Sequence, residues 1–188
     1  MAPPSDVDVG DAMRFHRQRH GDRYSHSIYC KIDAQYCAVL ESIEPESARD
    51  EPAEWPASPP LKDWHDEKRD RATVLMAVGA AGKSHWSASI ELCNDGTARF
   101  DVAARINAMP AYLGSEYACL LGSGALDETS IELTPGILLN CDPGTTRLRF
   151  DKADCRLVVE PLITQTDVWP QTIRWRYWIR GTPALPPP

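Results

Sequence analysis

The chain has 188 residues, 43% of them hydrophobic and 25% charged, with a net charge of −7 and 16 prolines. Such values belong to a folded chain with its own core, of about one domain's length, and not to a disordered segment. The acidic balance removes the net basic footprint that duplex nucleic acid needs. Apolar runs such as TVLMAVGAA fall short of the roughly 18–20 residues that span a bilayer, so no membrane partner is expected.

The first stretch, MAPPSDVDVGDAM, lacks the basic and apolar regions of a secretory leader. The six cysteines, Cys30, Cys37, Cys93, Cys119, Cys141 and Cys155, therefore read as reduced thiols and the location as cytoplasmic. Residues 1–24 read as a frayed tail and a short helix. Asp11 would cap that helix, AMRFHRQRH would form it, and Gly21 would end it.

Residues 25–182 read as one antiparallel β domain, a sandwich or a barrel. Ile28, Cys30 and Ile32 alternate with Tyr29, Lys31 and Asp33, which is strand periodicity. A second extended run through Tyr36, Ala38 and Leu40 makes one long strand or a loose hairpin. Residues 44–70 hold five prolines among acids. Between Glu41 and Asp70 stand ten acids and four bases, which carries nearly all of the net charge. Proline fixes φ and removes a donor, so 44–70 reads as a flexible Pro/acid-rich insert, with a short helix near LKDWHDEKRD.

The most regular stretch is HWSASIELCNDGTARFDVAARI. Trp86, Ala88, Ile90 and Leu92 share one face, and Ala98, Phe100, Val102, Ala104 and Ile106 share another beyond the turn residues Asn94-Asp95-Gly96. Alternation on both sides of such a turn predicts a hairpin. Upstream, AVGAAGKSHW ends like a phosphate-binding loop at Gly82-Lys83-Ser84. The first glycine of that motif is Ala77 here, and the chain after it alternates as a strand where the motif needs a helix. The reading is a second hairpin, so no nucleotide partner is expected. Downstream, SIELTPGILL, TRLRFDKADCRLVVEPL and TIRWRYWIRG read as further strands. AYLGSEYACLLGSG is ambiguous between helix and strand, and 183–188 form a proline-rich tail. The expected core is Trp86, Ile90, Leu92, Phe100, Val102, Ile106, Leu148, Phe150, Leu157, Val159, Trp175, Tyr177 and Ile179.

No catalytic set is complete. Ser84 and His85 are neighbours on a strand and point to opposite faces. Gly114-Ser115-Glu116 lacks the nucleophile elbow, and Cys119 lies in an apolar run. His16/His20 and His26/Cys30 have helical spacing but no further ligands, so no metal or cofactor is expected. Two arginine-aromatic segments remain. In RFHRQRHGDRY stand Arg14, Arg17, Arg19 and Arg23. In IRWRYWIR, Arg174, Arg176, Trp178 and Arg180 share one strand face, suited to an anion or stacked bases. The plain alternative pairs these arginines with Glu91, Asp101 or Glu132 across the sheet. Trp55 and Trp64 offer apolar anchors in the insert, which would fold over the basic face or meet a second copy.

The sequence thus points to a non-catalytic binding module that presents a sheet surface to a protein partner or to its own copy. The competing reading is a small-molecule-binding barrel or an enzyme with an apolar cavity.

Overall fold

The computed structural model describes residues 6–44, 54–164 and 168–181. In chain order the strands are β1 (Asp6–Val9), β2 (Met13–His20), β3 (Arg23–Ile32), β4 (Gln35–Ser42), β5 (Leu61–Arg69), β6 (Ala72–Ala81), β7 (Ser84–Cys93) and β8 (Thr97–Ile106). They continue with β9 (Ser115–Cys119), β10 (Gly124–Ala125), β11 (Ser130–Thr134), β12 (Ile137–Cys141), β13 (Thr146–Asp151), β14 (Arg156–Pro161) and β15 (Gln171–Gly181). No helix occurs among the described residues, and hence none long and apolar enough to cross a membrane.

Two antiparallel sheets result. One has seven strands in the order β1-β2-β3-β4-β9-β14-β13, and the other has eight in the order β10-β11-β12-β15-β8-β7-β6-β5. Each order ends in two edge strands, so neither sheet closes on itself. They face each other, sandwich-like, over one apolar cluster. Phe15 of the smaller sheet meets Phe100 of the larger with ring centroids 6.5 Å apart. Among the expected core residues, Trp86, Ile90, Leu92, Phe100, Val102, Ile106, Leu157, Val159, Trp175, Tyr177 and Ile179 are buried. Leu148 and Phe150 are only partly buried, because β13 is an edge strand with no neighbour on one side.

The expected N-terminal helix does not form. Met13 to His20 is a strand, paired to β1 and β3. Met13, Phe15 and Arg17 are buried while His16 and Arg14 are not, a period of two that local helix caps cannot override. Gly21, which was to end the helix, turns a hairpin instead with φ of 60°.

The insert is also corrected. Leu61 to Arg69 is β5, hydrogen-bonded to β6. An edge strand presents one row of backbone groups to solvent, so charged side chains such as Glu67 and Lys68 suit it and discourage further pairing. Its approach is packed as well. Pro59, Pro60 and Ser58 are buried, and Ser58 Oγ donates to the Glu116 carbonyl at 3.0 Å. Gly79 makes room for it, since a Cβ there would lie 1.7 Å from the Pro60 oxygen. Residues 45–53 of the expected insert, and the proline tail 183–188, lie outside the described residues.

The meander from Ala72 to Ile106 is three strands, β6-β7-β8. Gly82-Lys83 forms its first turn, with Gly82 at φ of 55°; the element that follows Ser84 is strand, not the helix of a phosphate-binding loop. SIELTPGILL forms two strands, split at Pro135-Gly136 where Gly136 takes φ of 80°. The ambiguous AYLGSEYACLLGSG contributes β9. The Ile28–Leu40 stretch is a tight hairpin whose turn residues Asp33 and Ala34 both take positive φ.

Candidate binding face

Strand alternation sorts the larger sheet into two faces. On β8 the residues Arg99, Asp101, Ala103 and Arg105 point away from the core. On β15, paired to it, Thr172, Arg174, Arg176, Trp178 and Arg180 do the same. Register brings Arg176 opposite Asp101, and Trp178 opposite Arg99 and Asn140. Two adjacent strands thus expose five arginines and one carboxylate, in a chain whose net charge is −7.

The charges are organised. Asp101 accepts hydrogen bonds from Arg174 Nε and Nη2 and from Arg176 Nε at 3.1 Å. The hydrogen bond to Asp101 holds the Arg174 guanidinium above its ordinary value. Arg99 Nη1 reaches Glu91 at 3.1 Å. The Asp101 pairs are of the kind expected for the β15 arginines; Glu91 is met by Arg99 of β8 instead, and Glu132 accepts from the Gly136 amide at 3.3 Å. The arginines remain about half exposed, at 52% for Arg174 and 44% for Arg176, so each exposed pair is worth only about 0–1 kcal/mol.

A depression of about 480 Å³ opens on this face, lined by Arg69, Glu91, Arg99, Asp101, Arg176 and Trp178. Its rim is the Asp142–Thr145 turn. Asp142 N donates to the Arg176 carbonyl at 3.0 Å, and Asp142 Oδ1 accepts from Gly144 N at 2.9 Å. A second depression of about 600 Å³ lies farther along the same face, beside Val78, His85 and Arg105. Between them the floor is made of small side chains, Ser87, Ser89 and Ala103. Met76 and Val78 stand along it, 37% and 52% exposed.

Four of the six residues singled out in the sequence, Arg174, Arg176, Trp178 and Arg180, therefore share this face. The other two do not. Trp55 and Trp64 are partly buried against the core, and Trp64 packs on Phe15 and Tyr24 between the sheets. The N-terminal arginines are taken up internally. Arg17, only 4% exposed, is held by both oxygens of Asp66 at 2.6 and 2.8 Å. Arg14 pairs with Asp8 at 2.8 Å, and Arg19 lies over Tyr24. Asp22 joins Arg23 at 3.0 Å to Lys62 at 2.6 Å; the Lys62 hydrogen bond draws the Asp22 carboxyl down to about 2. The acidic segment thus meets the N-terminal hairpin through Asp66, while the basic face of β15 meets Asp101.

A polar chain not foreseen in the sequence crosses the core. His26 Nε2 lies 2.9 Å from Tyr117 Oη, which hydrogen-bonds Tyr177 Oη. Trp175 Nε1 donates to Ser115 Oγ at 3.1 Å. Burial pushes His26 down to about 4, and raises both phenols above their ordinary range. All three groups stay neutral. With exposures of 7%, 1% and 2% for His26, Tyr117 and Tyr177, they are sealed from any solute. Among the described residues, no three His, Cys, Asp or Glu side chains converge as a metal set would. The six cysteines stand as free thiols, Cys30 opposite Cys37 across the β3–β4 hairpin.

The fold and this face define a mainly β chain whose described residues form two facing antiparallel sheets, with an arginine-rich outer surface on the larger one. No protein-family model matches it, and no curated protein does. Among solved structures, a heparinase III chain is similar in fold, with a TM-score of 0.54 at 8% identity. The likeness covers 97% of this chain but only 36% of that one, so the chain spans about a third of its neighbour's length.

Proposed function

We propose that the chain is a non-catalytic binding module that presents the outer face of its larger sheet to a macromolecular partner. The observation that carries this reading is the concentration of five arginines and Trp178 on two adjacent central strands of an otherwise acidic chain. Arginine and tryptophan are the side chains that dominate binding energy at recognition surfaces. The extended polar chain of the core, His26, Tyr117 and Tyr177, is buried and out of reach of a substrate. The competing reading, a barrel with an apolar cavity, is disfavoured by two sheets that each keep free edges.

The test is retention on a panel of immobilised polymers: neutral and acidic polysaccharides, single-stranded nucleic acid, and acidic and basic polypeptides. Sedimentation alongside reports self-association. Wild type should be retained by one of these or associate with itself, and Arg176→Gln with Trp178→Ala should abolish it. Arg147→Gln, on the opposite sheet, should not. Identical behaviour of all three proteins would remove the face from consideration.

A further inference from the structure

We infer that the partner of this face is a linear acidic polysaccharide in which charged and neutral sugars alternate; the inference rests on reading this face as the binding surface. Arg174 and Arg176 share the single carboxylate of Asp101, which leaves one net positive charge. A guanidinium carries five N–H donors. Asp101 takes only Nε and Nη2 of Arg174 and Nε of Arg176, so most N–H donors of the half-exposed pair are not engaged by it. The shared carboxylate also holds both forks in place before a ligand arrives, which lowers the ordering cost of binding. Planar forks of this kind recognise carboxylate or sulfate through paired donors.

The spacing then selects the polymer. Arg180 lies four residues beyond Arg176 on the same face, about 13 Å along the strand at about 3.3 Å per residue. Trp178 stands midway and is half-buried. The order along β15 is cation pair, indole, cation. An indole face accepts the apolar C–H surface of an uncharged ring, and the stations on either side accept anionic groups. A chain with acid on alternate sugars presents that order. Ser87 and Ser89, both exposed on β7 across β8 from Arg174 and Arg176, keep that flank of the face low.

A polynucleotide fits less well. It carries a phosphate at every residue and is held by a series of stacking aromatics in a positive groove. Here Glu91, Asp101 and Asp142 offset Arg69, Arg99 and Arg176 in one depression, so it lacks the net positive charge that holds a dense polyanion.

The experiment is affinity electrophoresis of the full chain through gels holding hyaluronan or unsulfated chondroitin, which bear a carboxylate on alternate sugars. Dextran and oligothymidylate gels run alongside. Retardation is expected in the first two and absent in dextran. Arg176→Gln should weaken it about tenfold, the worth of a hydrogen bond to a charged group, and Trp178→Ala should weaken it through loss of the stacking face, with Arg147→Gln unchanged. Both changed side chains are partly exposed, so melting temperature checks that the fold persists. Equal retardation by dextran, or none in either acidic gel, overturns the inference. Oligothymidylate binding that is lost in the same variants overturns the polysaccharide but keeps the face. Acidic-gel retardation that all variants share overturns both.

Discussion

Replacing Glu44 by glutamine should uncover an acid sensitivity that the native protein conceals. His26 is buried, and its folded value of about 4 lies below the ordinary 6.5. Between those pH values the unfolded chain binds a proton that the folded chain refuses. Stability from His26 is therefore complete above pH 6.5 and is lost as pH falls towards 4, by about 3 kcal/mol at about 1.4 kcal/mol per pH unit. Glu44 is the opposite case. Burial raises its carboxyl from 4.5 to about 7, against a smaller opposing effect of its hydrogen bond with Ser42. The folded chain keeps a proton that the unfolded chain has released, so this contribution is complete below pH 4.5 and is lost as pH rises through 7, again by about 3 kcal/mol. The two windows overlap from pH 4.5 to 6.5 with opposite signs. Native stability should be nearly flat there, while Glu44→Gln, which removes only the carboxyl, should lose about 3 kcal/mol on going from pH 6.5 to 4.5. Urea unfolding at several pH values measures both. A native curve that already climbs steeply with pH and runs parallel to the variant would refute the compensation.

Other outcomes follow from the packing. Phe100→Ala should cost about 3–5 kcal/mol, since the ring is 2% exposed and stacked on Tyr177; thermal or chemical unfolding decides, and a loss under about 1 kcal/mol would place the wrong face inside. Tyr117→Phe leaves the His26 nitrogen and the Tyr177 hydroxyl without their shared partner in the core, and should cost about 1–3 kcal/mol. Gly79→Ala drives a Cβ into the Pro60 carbonyl and should displace β5, costing about 3 kcal/mol or more. Gly122→Ala, with nothing within 4 Å of the new Cβ, is its control, and amide exchange confined to 61–69 reads the displacement.

Much of the larger sheet was legible in the chain itself. Alternation from Trp86 to Ile106 around Asn94-Asp95-Gly96 names two strands, their turn and their buried face, because side-chain period and turn chemistry are local properties. The arginine face of β15 was legible for the same reason: Arg174, Arg176, Trp178 and Arg180 differ by even numbers. Where local signals misled, distant partners had decided. Met13–His20 has a capping aspartate and a terminal glycine, yet becomes a strand because β3 and β1 supply its hydrogen bonds on both sides. Leu61–Arg69 reads as a charged solvent segment, yet pairs along β6 because an edge needs apolar contact only on one face. The joining of Arg17 to Asp66 and of His26 to Tyr117 spans 49 and 91 residues. No periodicity encodes such meetings. They exist because strand order sets which side chains become neighbours, and that order is fixed by burying one face of each sheet against the other.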